Sequence, residues 1–207
     1  MPIYVLDCGI GNVGAVRSMY RRLGLDTQLI DAPPRLTRGD MMVLPGVGSF
    51  DVGAAALKRH GFFDFLHDAV AEGYPLLGIC LGMQLLCRGS EEGSLPGLGI
   101  IPADVVRLDP GADRVRIPHM GWNIAEPVRE NPLLPMGGEQ QRFYFTHSFR
   151  VRCDSEDHVW ATTDYGTVFP SSIGVGNVMG VQFHPEKSHR FGKALLDRFA
   201  ALEMVDA

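Results

Sequence analysis

The sequence predicts an α/β fold with a mostly parallel central sheet and a more antiparallel portion in its second half. Three observations predict it. The first 90 residues alternate apolar, β-rich runs with segments of helical periodicity. The early apolar runs are continuous, as strands covered by helices on both faces require. Residues 98–180 change character, with short β-like pieces separated by Gly, Pro and Asp turns, a more antiparallel pattern.

The elements follow in order. Residues 3–8 are a strand that ends at Gly9-Ile10-Gly11-Asn12, a sharp turn. Residues 13–23 set Val13, Val16, Met19, Tyr20 and Leu23 at helical spacing, and Gly24 is a natural stop. A second strand covers 27–30 and a third 41–44, which runs into Pro45-Gly46-Val47-Gly48. Helices are expected over 52–60 and 62–71. Residues 76–79 are a fourth strand ending at Cys80, and a helix restarts over 82–87. Further β-like segments are 100–107, 114–117, 142–145, 148–152 and 158–162. A last strand at 178–183 precedes His184-Pro185-Glu186, and an amphipathic helix at 191–202 turns Leu195, Leu196 and Phe199 inward. Three of the strand ends carry glycine-rich turns, where ligands bind in open parallel sheets.

Length and composition narrow the function. The chain of 207 residues, 45% hydrophobic and 21% charged, reads as one globular domain over 1–207. A net charge of -5 without a Lys/Arg block argues against nucleic acid as a partner. The first residues lack a basic n-region, and no apolar run approaches the roughly 20 residues of a membrane span, so a cytoplasmic protein is expected. The cysteines, Cys8, Cys80, Cys87 and Cys153, match no paired metal framework and are read as free thiols. His119 and His147 lack neighbours that would complete a ligand set, so neither metal nor cofactor is assigned.

Two segments carry chemistry. Gly78-Ile79-Cys80-Leu81-Gly82-Met83-Gln84 places a cysteine between glycines at a strand-to-helix turn, the thiol version of the G-x-S-x-G elbow. The following helix offers the Leu81 N–H to an oxyanion, and its N-terminal field favours an anionic sulfur. Taken alone, Cys80 reads equally as a small core residue. Cys8, Cys87 and Cys153 have no such setting. The second segment is Gln182-Phe183-His184-Pro185-Glu186. Pro185 stiffens the backbone beside His184. Glu186 is close enough to accept from the imidazole and fix its tautomer. Alone, His-Pro-Glu reads as a surface turn. Together the segments read as a Cys80–His184–Glu186 triad of nucleophile, base and orienting carboxylate. Acyl chemistry also needs a second oxyanion donor, which Pro45-Gly46-Val47-Gly48 can offer from its backbone.

Pro45-Gly46-Val47-Gly48-Ser49-Phe50, the segment at 78–84 and Val181-Gln182-Phe183-His184-Pro185-Glu186-Lys187-Ser188 together resemble the class I glutamine amidotransferases. Residues 9–12, 117–123 and 144–149 narrow the resemblance to the glutaminase subunits of imidazole glycerol phosphate synthase, the HisH proteins. It covers nearly the whole chain. The resemblance implies a flavodoxin-like three-layer fold. It implies hydrolysis of glutamine to glutamate and ammonia through a thioester on Cys80. It places the oxyanion loop on Gly46, Val47 and Gly48, and substrate contacts on Gln84, His147, Ser148 and Phe149. It implies a heterodimer with a (β/α)8-barrel cyclase subunit, HisF, which uses the ammonia in histidine biosynthesis. Asn12, Trp122, Tyr144 and Lys187 match the family's docking face; Trp122 and Tyr144 read equally as core aromatics. Little glutaminase activity is expected without that partner. Lys187-Ser188-His189-Arg190-Phe191-Gly192 and Glu91-Glu92-Gly93 before Leu95-Pro96-Gly97 are similar to HisH-like paralogues that supply ammonia to a sugar-amidinating synthase in surface-polysaccharide formation. That is the alternative acceptor. A third reading, an inactive binding subunit, is disfavoured because Cys80, His184 and Glu186 are all present.

Overall fold

The computed structural model describes residues 2–109, 111 and 115–202. Its elements are β1 (Ile3–Leu6), α1 (Val13–Arg22), β2 (Thr27–Ile30), β3 (Met41–Gly46), α2 (Phe50–Arg59), α3 (Phe62–Ala71), β4 (Leu76–Cys80), α4 (Leu81–Leu85), β5 (Ala103–Arg107), β6 (His119–Ile124), β7 (Glu126–Pro127), β8 (Arg142–His147), β9 (Phe149–Cys153), β10 (Val159–Asp164), β11 (Val168–Val175), β12 (Val178–Val181) and α5 (His189–Ala200).

The main sheet runs β2-β1-β3-β4-β12-β11-β10-β7. Its first five strands are parallel, and β11, β10 and β7 continue it antiparallel. Two small antiparallel pairs, β5–β9 and β6–β8, stand beside it. Because successive side chains of a strand point to opposite faces, each buried strand feeds two cores. Tyr4 and Leu6 join the core formed with α2, α3 and α4, while Ile3 and Val5 join the one formed with α1 and α5. Leu195, Leu196 and Phe199 of α5 are fully buried in the latter, each contributing on the order of 2 kcal/mol.

Helix α1 begins where the Asn12 side chain accepts from the Ala15 N–H and ends before Gly24 at φ 77°, with Arg21 and Arg22 in its last turn. Helix α4 departs from expectation. It spans five residues, so it brings little more than one turn of N–H groups to Cys80.

The antiparallel half was expected in kind but not in detail. Residue 114 lies outside the described residues, and 115–117 form no strand. Strands β6, β7 and β11 were unread. Gly121 and polar residues break the apolar pattern of β6, and Pro170, Ser171, Ser172 and Gly174 dilute that of β11. Helix α5 starts two residues earlier than expected, at His189, which takes a positive φ of 45°.

Candidate active site

The tips of β3 and β4, the β8–β9 corner and the segment after β12 converge on one cavity of about 330 Å³. Val47, Gly48, Cys80, Leu81, Gln84, His147, Ser148, Phe149 and His184 line it, with Glu92, Pro118 and Thr146.

Cys80 sits at φ 55°, ψ -109°, one of two non-glycine residues with positive φ among those described. Such a backbone is strained and persists only where its surroundings impose it. Here they are glycines. A Cβ on Gly82 would lie 1.8 Å from the Leu44 carbonyl oxygen, and one on Gly78 would lie 2.7 Å from Gly82. The turn therefore packs backbone against backbone and holds the thiol at the cavity wall.

His184 Nδ1 lies 2.8 Å from Glu186 Oε1, and both side chains are 2% exposed. Its Nε2 is buried without a hydrogen bond of normal geometry, and the ring lines the cavity together with Cys80. Burial alone would push the imidazole pKa down; hydrogen bonding and charge from Cys80 and Glu186 outweigh it and raise it to about 9. The backbone around the base closes into a ring with β8. His184 N–H donates to the Tyr144 carbonyl at 2.9 Å, Tyr144 N–H donates to Ser188 Oγ at 3.0 Å, and the Ser188 hydroxyl donates to the His184 carbonyl at 2.6 Å.

The expected oxyanion donors are not all free. The Val47 N–H is committed to the Ile10 carbonyl at 2.5 Å, although its side chain is 42% exposed. Gly46 does not line the cavity. It lies beneath it, where a Cβ would meet Gly82 N at 2.7 Å. Of the expected docking residues, Trp122, Tyr144 and Lys187 come together. Trp122 meets Tyr144 edge-on at 6.2 Å, and Lys187 Nζ lies 5.6 Å over the Tyr144 ring. Asn12 caps α1, which packs on the turn at 185–187. His119 and His147 bond to each other, Nδ1 to Nε2 at 3.1 Å.

Sequence reasoning passed over Gln182, Glu92 and Thr146. Gln182 is fully buried and its Nε2 lies 3.8 Å from Cys80 Sγ. A glutamine set between Val181 and Phe183, directly after an otherwise apolar strand, was the signal. Glu92 accepts from the Phe50 N–H at 2.8 Å, capping α2, and sets a carboxylate on the cavity wall. The Thr146 carbonyl faces the sulfur at 3.9 Å. Burial raises the pKa of Cys8 to about 12 and of Cys153 to about 11, and raises that of Cys87 as well. These three thiols lie away from the cavity lining.

Residues 4–202 match the profile of the family described as Glutamine amidotransferase class-I. The chain belongs to the class-I glutamine amidotransferases. This amidotransferase is 44% identical to imidazole glycerol phosphate synthase subunit HisH 2 of Methanococcus maripaludis, over 95% of this chain and 98% of that one. It is 42% identical to subunit HisH of Salinibacter ruber, over 98% and 95%. A crystal structure of a glutamine amidotransferase superposes on it with a TM-score of 0.74 at 22% identity, covering 97% of this amidotransferase and 99% of that chain; it shows the same fold. No helix among its described residues is long and apolar enough to cross a membrane.

Proposed function

We propose that the chain, a single amidotransferase domain working in the cytoplasm, is the glutaminase subunit of an imidazole glycerol phosphate synthase. In this reading it hydrolyses glutamine and hands the ammonia to a (β/α)8-barrel cyclase subunit in histidine biosynthesis. The observation that carries the chemistry is the convergence of Cys80 and the Glu186-held His184 on one cavity.

Cys80 Sγ attacks the side-chain carbonyl carbon of glutamine. His184 accepts the thiol proton and delivers it to the departing nitrogen, so ammonia leaves and a γ-glutamyl thioester remains. His184 then takes a proton from water, whose oxygen attacks the thioester; glutamate leaves and the thiol is restored. Glu186 keeps the ring in the tautomer that presents Nε2 and stabilises its charged form. The Leu81 and Gly48 N–H groups face the developing oxyanion, and Gln84, Glu92 and residues 147–149 hold the amino-acid end of the substrate.

The Val47–Ile10 hydrogen bond supports low activity in the free subunit, since one missing oxyanion donor costs about 2.7–4 kcal/mol in the transition state. Docking of the partner against Trp122, Tyr144, Lys187 and the Asn12 loop would release it. Equal glutaminase rates with and without the partner and its ligand would refute this.

The alternative acceptor, a sugar-amidinating synthase, rests on the residues at 91–97 and 187–192. Complementation of a histidine auxotroph separates the two acceptors. For the chemistry itself, Cys80→Ala is expected to abolish glutamine-dependent turnover of the complex while added ammonium still supports it. Retention of glutamine-dependent turnover would remove Cys80 from the mechanism.

A further inference from the structure

A run of polar side chains connects β6 to the nucleophile, and its hydrogens can be placed in only one way. His147 Nδ1 lies 2.7 Å from the Phe149 carbonyl oxygen, which only accepts, so Nδ1 carries the hydrogen. Burial lowers the His147 pKa to about 3 and the His119 pKa to about 4, so at neutral pH each ring has a single N–H. His147 Nε2 is then a lone pair, and His119 Nδ1, 3.1 Å away, must donate to it. His119 Nε2 in turn accepts from Asn123 Nδ2 at 3.3 Å. The Asn123 amide is oriented by the Asp164 carbonyl at 2.9 Å from Nδ2 and by the Ile124 N–H at 2.8 Å from Oδ1.

The other half starts from the same Phe149 carbonyl. Gln84 Nε2 donates to it at 3.2 Å and to Gln182 Oε1 at 3.1 Å. With its oxygen engaged, Gln182 has only its amide nitrogen to turn toward Cys80 Sγ at 3.8 Å. Reversing the Gln182 amide would set one NH2 against another.

We propose that Gln182 is a further catalytic residue, donating a hydrogen bond that stabilises the anionic sulfur of Cys80, and that Gln84, His147 and His119 are the positioning residues that fix its direction and the place of the Phe149 carbonyl. The inference deepens the reading of Cys80 as nucleophile and rests on it. A donor aimed at an anion favours the charged form, whereas the Thr146 carbonyl on the same sulfur can only accept. The histidine pair holds the substrate-binding strand rather than the sulfur, so its loss weakens glutamine binding more than thiol reactivity.

The test uses the full chain and its complex with the barrel subunit. Labelling of Cys80 by iodoacetamide at pH 7 is followed by peptide mass spectrometry, beside kcat and KM for glutamine in the complex. Gln182→Met is expected to slow labelling about tenfold, the size of one hydrogen bond to an anion, and to lower kcat with KM changed less than about twofold. His119→Phe should raise KM, and His119→Asn, whose amide can stand in for the Nδ1 donor, should recover most of that loss. A wild-type labelling rate in a folded Gln182→Met protein overturns the donor role. Equal KM defects in His119→Asn and His119→Phe overturn the positioning chain. If Gln182→Met does not fold, Gln182→Leu removes the donor with a different apolar shape, and the same wild-type rate would overturn the proposal. Failure of wild-type Cys80 to react with a glutamine-analogue electrophile, partner present, instead sinks the nucleophile assignment, so the two failures are distinct.

Discussion

At Cys80 the backbone alone sets where the thiol stands on the cavity wall. A residue at φ 55° is costly, and the energy that imposes it comes from the packing of the flanking glycines. The imidazole of His184 is shifted electrostatically. The His184 pKa is raised to about 9 in the folded protein, above the unfolded value of about 6.5. A raised pKa means that the protonated ring stabilises the fold fully below pH about 6.5, and that this contribution is lost as pH climbs through 9. Thermal unfolding between pH 6.5 and 9.5 should show a Tm lower by several degrees at the alkaline end. Glu186→Gln removes one source of the shift and should flatten that decline while lowering kcat by at least about tenfold. An unchanged pH profile in that variant would detach Glu186 from His184. The meeting of Cys80, His184 and Glu186 around one cavity was legible because Gly-Ile-Cys-Leu-Gly and His-Pro-Glu are local patterns. Gln182 and Glu92 were not, because each acquires meaning only from a partner far along the chain: Cys80 is 102 residues from Gln182, and Phe50 is 42 from Glu92.

Among the elements, β3, β4 and α4 form the tightest junction, and glycine makes it possible. Gly82→Ala drives a methyl into the Leu44 carbonyl, which is backbone and cannot swing away. The expected cost is about 3 kcal/mol or more, read as a Tm fall of roughly 10 °C. Gly14 in α1 is the control: it is exposed, with nothing near its Cβ position, so Gly14→Ala should stabilise by about 0.5 kcal/mol. Equal effects at the two positions would contradict the packing account. Strands β1, β3, β4 and β12 were legible because burial on both faces leaves continuous apolar runs. Strands β6 and β11 escaped because their stability comes from cross-strand partners. Trp122 faces Tyr144 and His119 faces His147 across β6–β8, pairings between residues 22 and 28 positions apart that no local period reports.

Over the whole molecule, large apolar side chains stay exposed at Val47 of the cavity lining and on β6, the strand paired with β8. Trp122 is 42% exposed, Met120 62% and Val47 42%. Trp122 is held in place by Tyr144 and by the His189 ring stacked on it at 5.4 Å, so on the proposed reading it would meet the barrel subunit already ordered, as interface anchors do. Trp122→Ala is expected to weaken binding of the barrel subunit by about 2 kcal/mol, roughly thirtyfold in Kd, with the secondary structure unchanged. A titration giving the wild-type Kd would move the docking face elsewhere. The closed ring of three hydrogen bonds among Tyr144, Ser188 and His184 then has a mechanical consequence. Pressure on the outer strand is transmitted elastically to the imidazole, with no flexible segment in between to absorb it. Amide hydrogen exchange at Tyr144 and His184 should therefore slow in step when the barrel subunit binds.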